Sequence, residues 1–330
     1  MSGGRVTVVV SQAQGKDPAR RRLEEELVAG LLGEPGVDVG IVPHIYDLDP
    51  SHPGYMYLTG LAGDVIVCAW LYPRATYWLL QRMGVRGKKA LWPEEMAPSA
   101  EEAEAEEVVA QAGVPAPDAQ PVPDRWIYCL DLRSVDGASA CLEQVRRALD
   151  DCRRRLRTDS LVQIGIKSRD DRTGPAATTF DQPTGRRWYP VIDYERCTNC
   201  LECLDFCLFG VYGVDAQQVI AVVQQDNCRR GCPACSRVCP EHAIIFPEYK
   251  TPAIAGAPVG EVDGLKIDLT RLFGGDDALT IAAQERDAEL VKDGRAPVGL
   301  TVGVRRRTQS EPRPKDDLDA LMDQLDALEL

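Results

Sequence analysis

The chain has 330 residues, 44% of them apolar, and a formal net charge of −13. No apolar run approaches the roughly 18 to 20 residues of a membrane helix, so no membrane span is expected. Nine carboxylates without a Lys or Arg over residues 94–124, and seven against Arg313 and Lys315 in the last twenty residues, account for the whole net charge. The near-neutral remainder lacks the basic excess of a nucleic-acid-binding domain, so no nucleic-acid partner is expected either.

Residues 5–10 (RVTVVV) are β-branched and predict a buried strand. Asp17 and Pro18 then supply an N-cap and a first-turn proline to a helix that gathers Leu23, Leu27, Leu31 and Leu32 on one side and stops near Gly33. Residues 37–45 and 64–70 (DVIVCAW) predict two more strands, and 75–83 a helix closing at Gly84. Residues 126–132 (WIYCLDL) predict a fourth strand, 138–157 a long helix and 161–166 a fifth strand. Strands separated by helices imply a parallel sheet covered on both faces. Residues 1–166 therefore read as a flavodoxin-like or Rossmann-like α/β domain, with the strand order open. An insert over 93–124, rich in Glu, Ala and Pro, interrupts it, and Pro115, Pro117, Pro121 and Pro123 mark its second half as extended.

A polar linker over 167–185 leads to a cysteine-rich module over 186–250, and an extended tail over 251–330 follows. The tail carries an expected helix over 276–292, stopped by Gly294. A second, acidic amphipathic helix is expected over 316–330, with Leu318, Leu321, Met322, Leu325 and Leu328 on one stripe. That stripe is an expected docking element for a partner subunit.

Of the twelve cysteines, Cys68, Cys129, Cys141 and Cys152 are scattered and read as small buried hydrophobes. The other eight crowd between Cys197 and Cys239. A disulfide scaffold is normally a short secreted chain with cysteine throughout, and the first ten residues lack the apolar core of a secretory signal. A cytoplasmic protein that ligates metal is the expectation. The runs are C-x2-C-x2-C-x3-C (Cys197, Cys200, Cys203, Cys207) and C-x3-C-x2-C-x3-C (Cys228, Cys232, Cys235, Cys239), the latter followed by Pro240. Zinc favours two separated C-x2-4-C knuckles per ion, which is not this arrangement.

Residues 186–250 resemble a bacterial-type 2[4Fe-4S] ferredoxin, in which the fourth cysteine of each run ligates the other cluster. The resemblance implies a small α+β domain with two [4Fe-4S] clusters: Cys197, Cys200, Cys203 and Cys239 on one, Cys228, Cys232, Cys235 and Cys207 on the other. It departs from that family at Leu208, where proline usually follows the fourth cysteine, and at the three residues Arg229-Arg230-Gly231 that stand where two are usual. Arg229 and Arg230, inside the second ligand loop, are expected to raise that cluster's potential.

The implied function is electron transfer to or from a partner oxidoreductase, as a carrier or redox subunit more than as a self-contained enzyme. An oxidoreductase whose α/β domain binds a flavin or substrate is the alternative, and a regulatory protein using clusters as sensor or scaffold a further one. No motif supports a flavin: the first turn, SQAQGK over 11–16, lacks both G-x-G-x-x-G and the P-loop pattern. His44, Tyr46, Trp70, Tyr72 and Arg74, at the ends of the second and third strands, form a candidate polar and aromatic pocket on the sheet's ligand-binding edge.

Overall fold

The computed structural model describes residues 5–90, 122–159, 177–258, 261–262, 265–266 and 275–303. The acidic insert lies outside them except for 122–124, and the expected strand over 161–166 and helix over 316–330 lie outside them altogether. Strands β1 (Val6–Ser11), β2 (Val37–Val42), β3 (Val65–Ala69), β4 (Lys88–Lys89), β5 (Trp126–Asp131) and β6 (Ala177–Thr179) form one parallel sheet in the order β4-β5-β3-β1-β2-β6. Central β1 pairs Val8 with Val39 on one side and Ile66 on the other. The order reverses between β1 and β3, which makes the gap beyond their carboxyl ends the topological switch point.

The pleat distributes β1 to both faces. Val6, Val8 and Val10 join Leu27 and Leu31 of helix α1 (Pro18–Leu32) and Cys141, Val145 and Leu149 of helix α4 (Ala138–Asp159). Val9 points the other way, into a core with Leu58 of α2 (Pro53–Thr59) and Leu79 and Leu80 of α3 (Pro73–Arg82). Strands buried on both faces need continuous apolar runs, which is why β1 and β3 carry them. Cys68, Cys129, Cys141 and Cys152 are all buried in these two layers.

Two sequence expectations are corrected. The segment read as a linker over 167–185 contributes β6, whose Ala177, Thr178 and Thr179 pair with Val39, Gly40 and Ile41. Its three residues are exposed on the sheet edge, so no apolar alternation marks them. The second strand ends at Val42, short of residue 45, because Pro43 has no N–H for the ladder and a 3-10 turn takes over at Ile45–Asp47.

In the cysteine-rich part, β7 (Val191–Ile192) pairs antiparallel with β10 (Ile244–Ile245), and β8 (Tyr212–Val214) with β9 (Ile220–Val222). Between them stand two one-turn helices, α5 (Glu202–Phe206) and α6 (Ala234–Val238). Tyr189, Val191 and Ile245 of this part share the core of the α3 face of the large sheet. A short helix α7 (Pro252–Ala255) follows, and then α8 (Asp276–Lys292), which packs on α6 and α5 through Ala282, Leu279, Phe206, Ala234 and Val238. No helix among the described residues is long and apolar enough to cross a membrane.

Candidate metal centres

The two cysteine runs fold alike. In each, the third cysteine sits in a one-turn helix and the fourth caps it: Cys207 N–H donates to Cys203 O at 3.1 Å, and Cys239 N–H to Cys235 O at 3.2 Å. The first loop is held at its start by buried Asp193, whose carboxylate accepts from the N–H groups of Glu195 and Arg196 and whose carbonyl accepts from Cys197 N–H at 3.0 Å. Asn199 (φ 56°) and Leu201 (φ 62°) then adopt left-handed backbone. Such turns aim successive N–H groups inward, and the Asn199 N–H reaches the Cys197 sulfur. The Asn199 side chain ties this loop to the β8–β9 hairpin, donating to Gln218 O at 2.9 Å and accepting from Ile220 N–H at 2.8 Å.

The second loop absorbs its additional residue as a turn. Cys232 N–H donates back to Arg229 O at 3.0 Å, and Gly231 takes the left-handed conformation (φ 85°). A side chain there would be strained.

These loops line two cavities. One is walled by Cys197, Cys200, Cys203 and Cys239, with Ile192, Ile220 and Ile244 behind them. The other is walled by Cys207, Cys228, Cys232 and Cys235, with Phe206, Phe209 and Tyr212. None of the twelve cysteines is joined in a disulfide. Among the described residues, no three His, Cys, Asp or Glu side chains close on a point where a single metal ion could be held. Burial pushes up the thiols of Cys197, Cys203, Cys207, Cys228, Cys232, Cys235 and Cys239, Cys232 and Cys239 to about 12, because a thiolate in an apolar wall lacks water. Backbone N–H groups oppose that effect: Ala234 serves Cys232, and Ala243 and Glu241 serve Cys239. Tyr212, itself buried, donates its hydroxyl to Cys235 Sγ at 3.0 Å. A soft, four-sulfur donor set in a dry, N–H-lined cavity suits an iron–sulfur cluster, with the metal's charge supplying the thiolate stabilisation that burial removes.

The five residues of the candidate pocket separate. Tyr46 and Arg74 connect the sheet to the cysteine-rich part: Tyr46 Oη donates to Tyr189 O at 2.6 Å, and Arg74 Nε to Asp193 Oδ2 at 2.5 Å. Trp70 donates its indole N–H to buried Glu24 at 2.9 Å and stacks under Arg20; Tyr72 lies 4.0 Å beneath Arg133. His44 is buried between Gln14 and Glu248, at 3.4 Å from Gln14 Nε2 and 3.3 Å from Glu248 Oε1. Although Glu248 is within ion-pair distance, desolvation and then Arg186, Arg20 and Arg133 push His44 down to about 3. The imidazole is therefore neutral: Nδ1 accepts from Gln14, and Nε2–H donates to Glu248.

Three residues at the cavities escaped the sequence reading. Tyr212 and Asn199 carry no motif. Arg286 of α8 lies in the tail, outside residues 186–250, yet lines the second cavity. A signal for it exists: it falls in step, at spacings of four, with Ala278, Ala282 and Leu290, all buried, so a charge stands on the helix's apolar stripe.

No family model matches the chain, and no solved structure matches it. Over 66 residues, 20% of its length, the chain is 48% identical to a protein of Methanocaldococcus jannaschii described as an uncharacterized ferredoxin. The match covers 44% of that protein, so the chain spans less than half of this relative. Part of the chain is thus ferredoxin-like.

Proposed function

We propose that this chain is an iron–sulfur electron-transfer protein or redox subunit carrying two [4Fe-4S] clusters. Cys197, Cys200, Cys203 and Cys239 would hold one, and Cys228, Cys232, Cys235 and Cys207 the other. The observation that carries the reading is the division of eight cysteines between two cavities, each taking its fourth cysteine from the opposite run. Clusters of this type supply single-electron transfer at potentials set by charge, hydrogen bonding and exposure.

The chain's own residues do the remaining work. Ile192, Ile220, Ile244, Phe206 and Phe209 exclude water, while backbone N–H groups and Tyr212 Oη hold the sulfurs. Asp193 and Asn199 fix the first loop, and Gly231 permits the second. We assign the work to a cytoplasmic setting, where free thiols persist. The electrons would pass to or from a partner oxidoreductase, with residues 316–330 as its docking segment.

The test is anaerobic purification with iron and sulfide assays, followed by EPR of Cys→Ser variants. Cys239→Ser should alter the same reduced-cluster signal as Cys200→Ser, and Cys207→Ser the same signal as Cys228→Ser. Pairing by run instead would refute the ligand sets, and a zinc-loaded protein without iron would refute the function. Deleting residues 311–330 should remove a co-purifying redox partner while leaving iron content unchanged.

A further inference from the structure

The two cavities differ in charge. The charged residue lining the first is Glu241, whereas Arg229 and Arg286 line the second. The two arginines are not equivalent. Arg229 is 42% exposed along its side chain and paired with Asp293, so water and a carboxylate screen it. Arg286 is 1% exposed. Its guanidinium lies 4.4 Å over the Phe206 ring, one residue before Cys207, and donates to the carbonyls of Gly299 at 2.5 Å, Val302 at 2.9 Å and Phe206 at 3.4 Å. Its carboxylate neighbour is Asp287 at 3.1 Å, whose other oxygen already accepts the N–H groups of Val298 and Gly299.

A guanidinium stays protonated under all ordinary conditions, and burying one is costly unless negative charge stands near it. Three carbonyls and one shared carboxylate answer that need only in part. Four thiolates on an iron–sulfur core would complete it, more so after gaining an electron. We propose that Arg286 sets the potential of the second cluster above that of the first, so that an electron entering the pair comes to rest at the second site. This rests on the two-cluster reading above. The electron leaves the first site, or an external one-electron donor, and is gained at the second; no covalent bond forms or breaks, and Arg286 keeps its proton. Helix α8, held to the cysteine-rich part by Arg237–Glu285 and Arg229–Asp293, is thereby a functional wall of the site.

The experiment is an EPR-monitored redox titration of the full-length, anaerobically reconstituted chain with dithionite as reductant. Arg286→Gln should lower one of two midpoints by at least 59 mV, a tenfold change in a one-electron equilibrium, and leave the other in place. The shifted signal should be the one that Cys207→Ser alters. Arg286→Lys should restore most of the midpoint, and Arg229→Gln should move it less than Arg286→Gln does. Asp287→Asn keeps the cation and removes its counter-charge, so it should move the same midpoint upward; this variant decides the matter if Arg286→Gln does not load iron. Unmoved midpoints in iron-replete variants, or equal shifts for Lys and Gln, would overturn the role of Arg286 while leaving the clusters in place. A wild-type chain with no cluster signal would overturn the cluster reading itself, and this inference with it.

Discussion

Arg74, in the first turn of α3, reaches across to Asp193 at the head of the first ligand loop, Nε to Oδ2 at 2.5 Å, and its Nη2 donates to His242 O at 2.6 Å. Both side chains are almost fully buried, at 9% and 2% exposure. The large sheet therefore holds the loop that presents Cys197.

Arg74→Met should leave the buried Asp193 carboxylate with Arg196 at 3.7 Å and two backbone N–H groups but without its closest cation, at a cost of about 1–3 kcal/mol. Urea unfolding would read that loss, and iron content should fall with it. The double variant Arg74→Met/Asp193→Asn should be less destabilised than the two single changes summed, because the second change removes the buried charge.

Tyr46 and Tyr189 interlock the same two parts. Tyr46 Oη donates to Tyr189 O and accepts from Tyr189 N–H at 2.7 Å, while Tyr189 Oη donates to Tyr46 O at 3.0 Å. Tyr46→Phe strands a buried N–H and a buried carbonyl together, so a loss of about 1–3 kcal/mol is expected in urea unfolding. Tyr189→Phe, which frees one carbonyl, should cost less.

His44 gives a pH dependence with a defined sign. Its folded-state value is lowered to about 3 from 6.5, so the unfolded chain binds the extra proton first. The contribution is complete above pH 6.5 and is lost as pH falls from there toward 3, by about 1.4 kcal/mol per unit. Between pH 6.5 and 5.5, where the unfolded imidazole goes from half to almost fully protonated, the wild type should therefore lose about 1 kcal/mol more than His44→Gln. Parallel urea titrations at the two pH values measure it, and equal losses would refute the assignment of a neutral imidazole.

Gly40 in β2 lies under the Tyr57 ring. A Cβ there would come within 2.5 Å of Tyr57 Cε1, and that ring packs at a tilt against Phe180, just beyond β6, with centroids 4.9 Å apart. Gly40→Ala should overpack this edge and cost about 1–3 kcal/mol. Adding Tyr57→Val should recover part of the loss, read as a partial return of the thermal midpoint.

The α/β alternation, the strands of the sheet's centre and the crowding of eight cysteines were all legible along the chain. Each rests on a local signal, either a period in the apolar residues or a ligand spacing within one loop. Edge strand β6 was not legible, since three exposed residues pairing with β2 leave no pattern of their own. The same holds for the fate of His44, Tyr46, Trp70, Tyr72 and Arg74, which share strand ends but divide among different partners once α3 meets the cysteine-rich part. The tertiary structure alone decided that Arg286, some fifty residues beyond the second ligand run, stands in the wall of the second cavity. A sequence records which residues can ligate a metal; which charges stand beside such a site depends on contacts between segments far apart in the chain, and those arise only on packing.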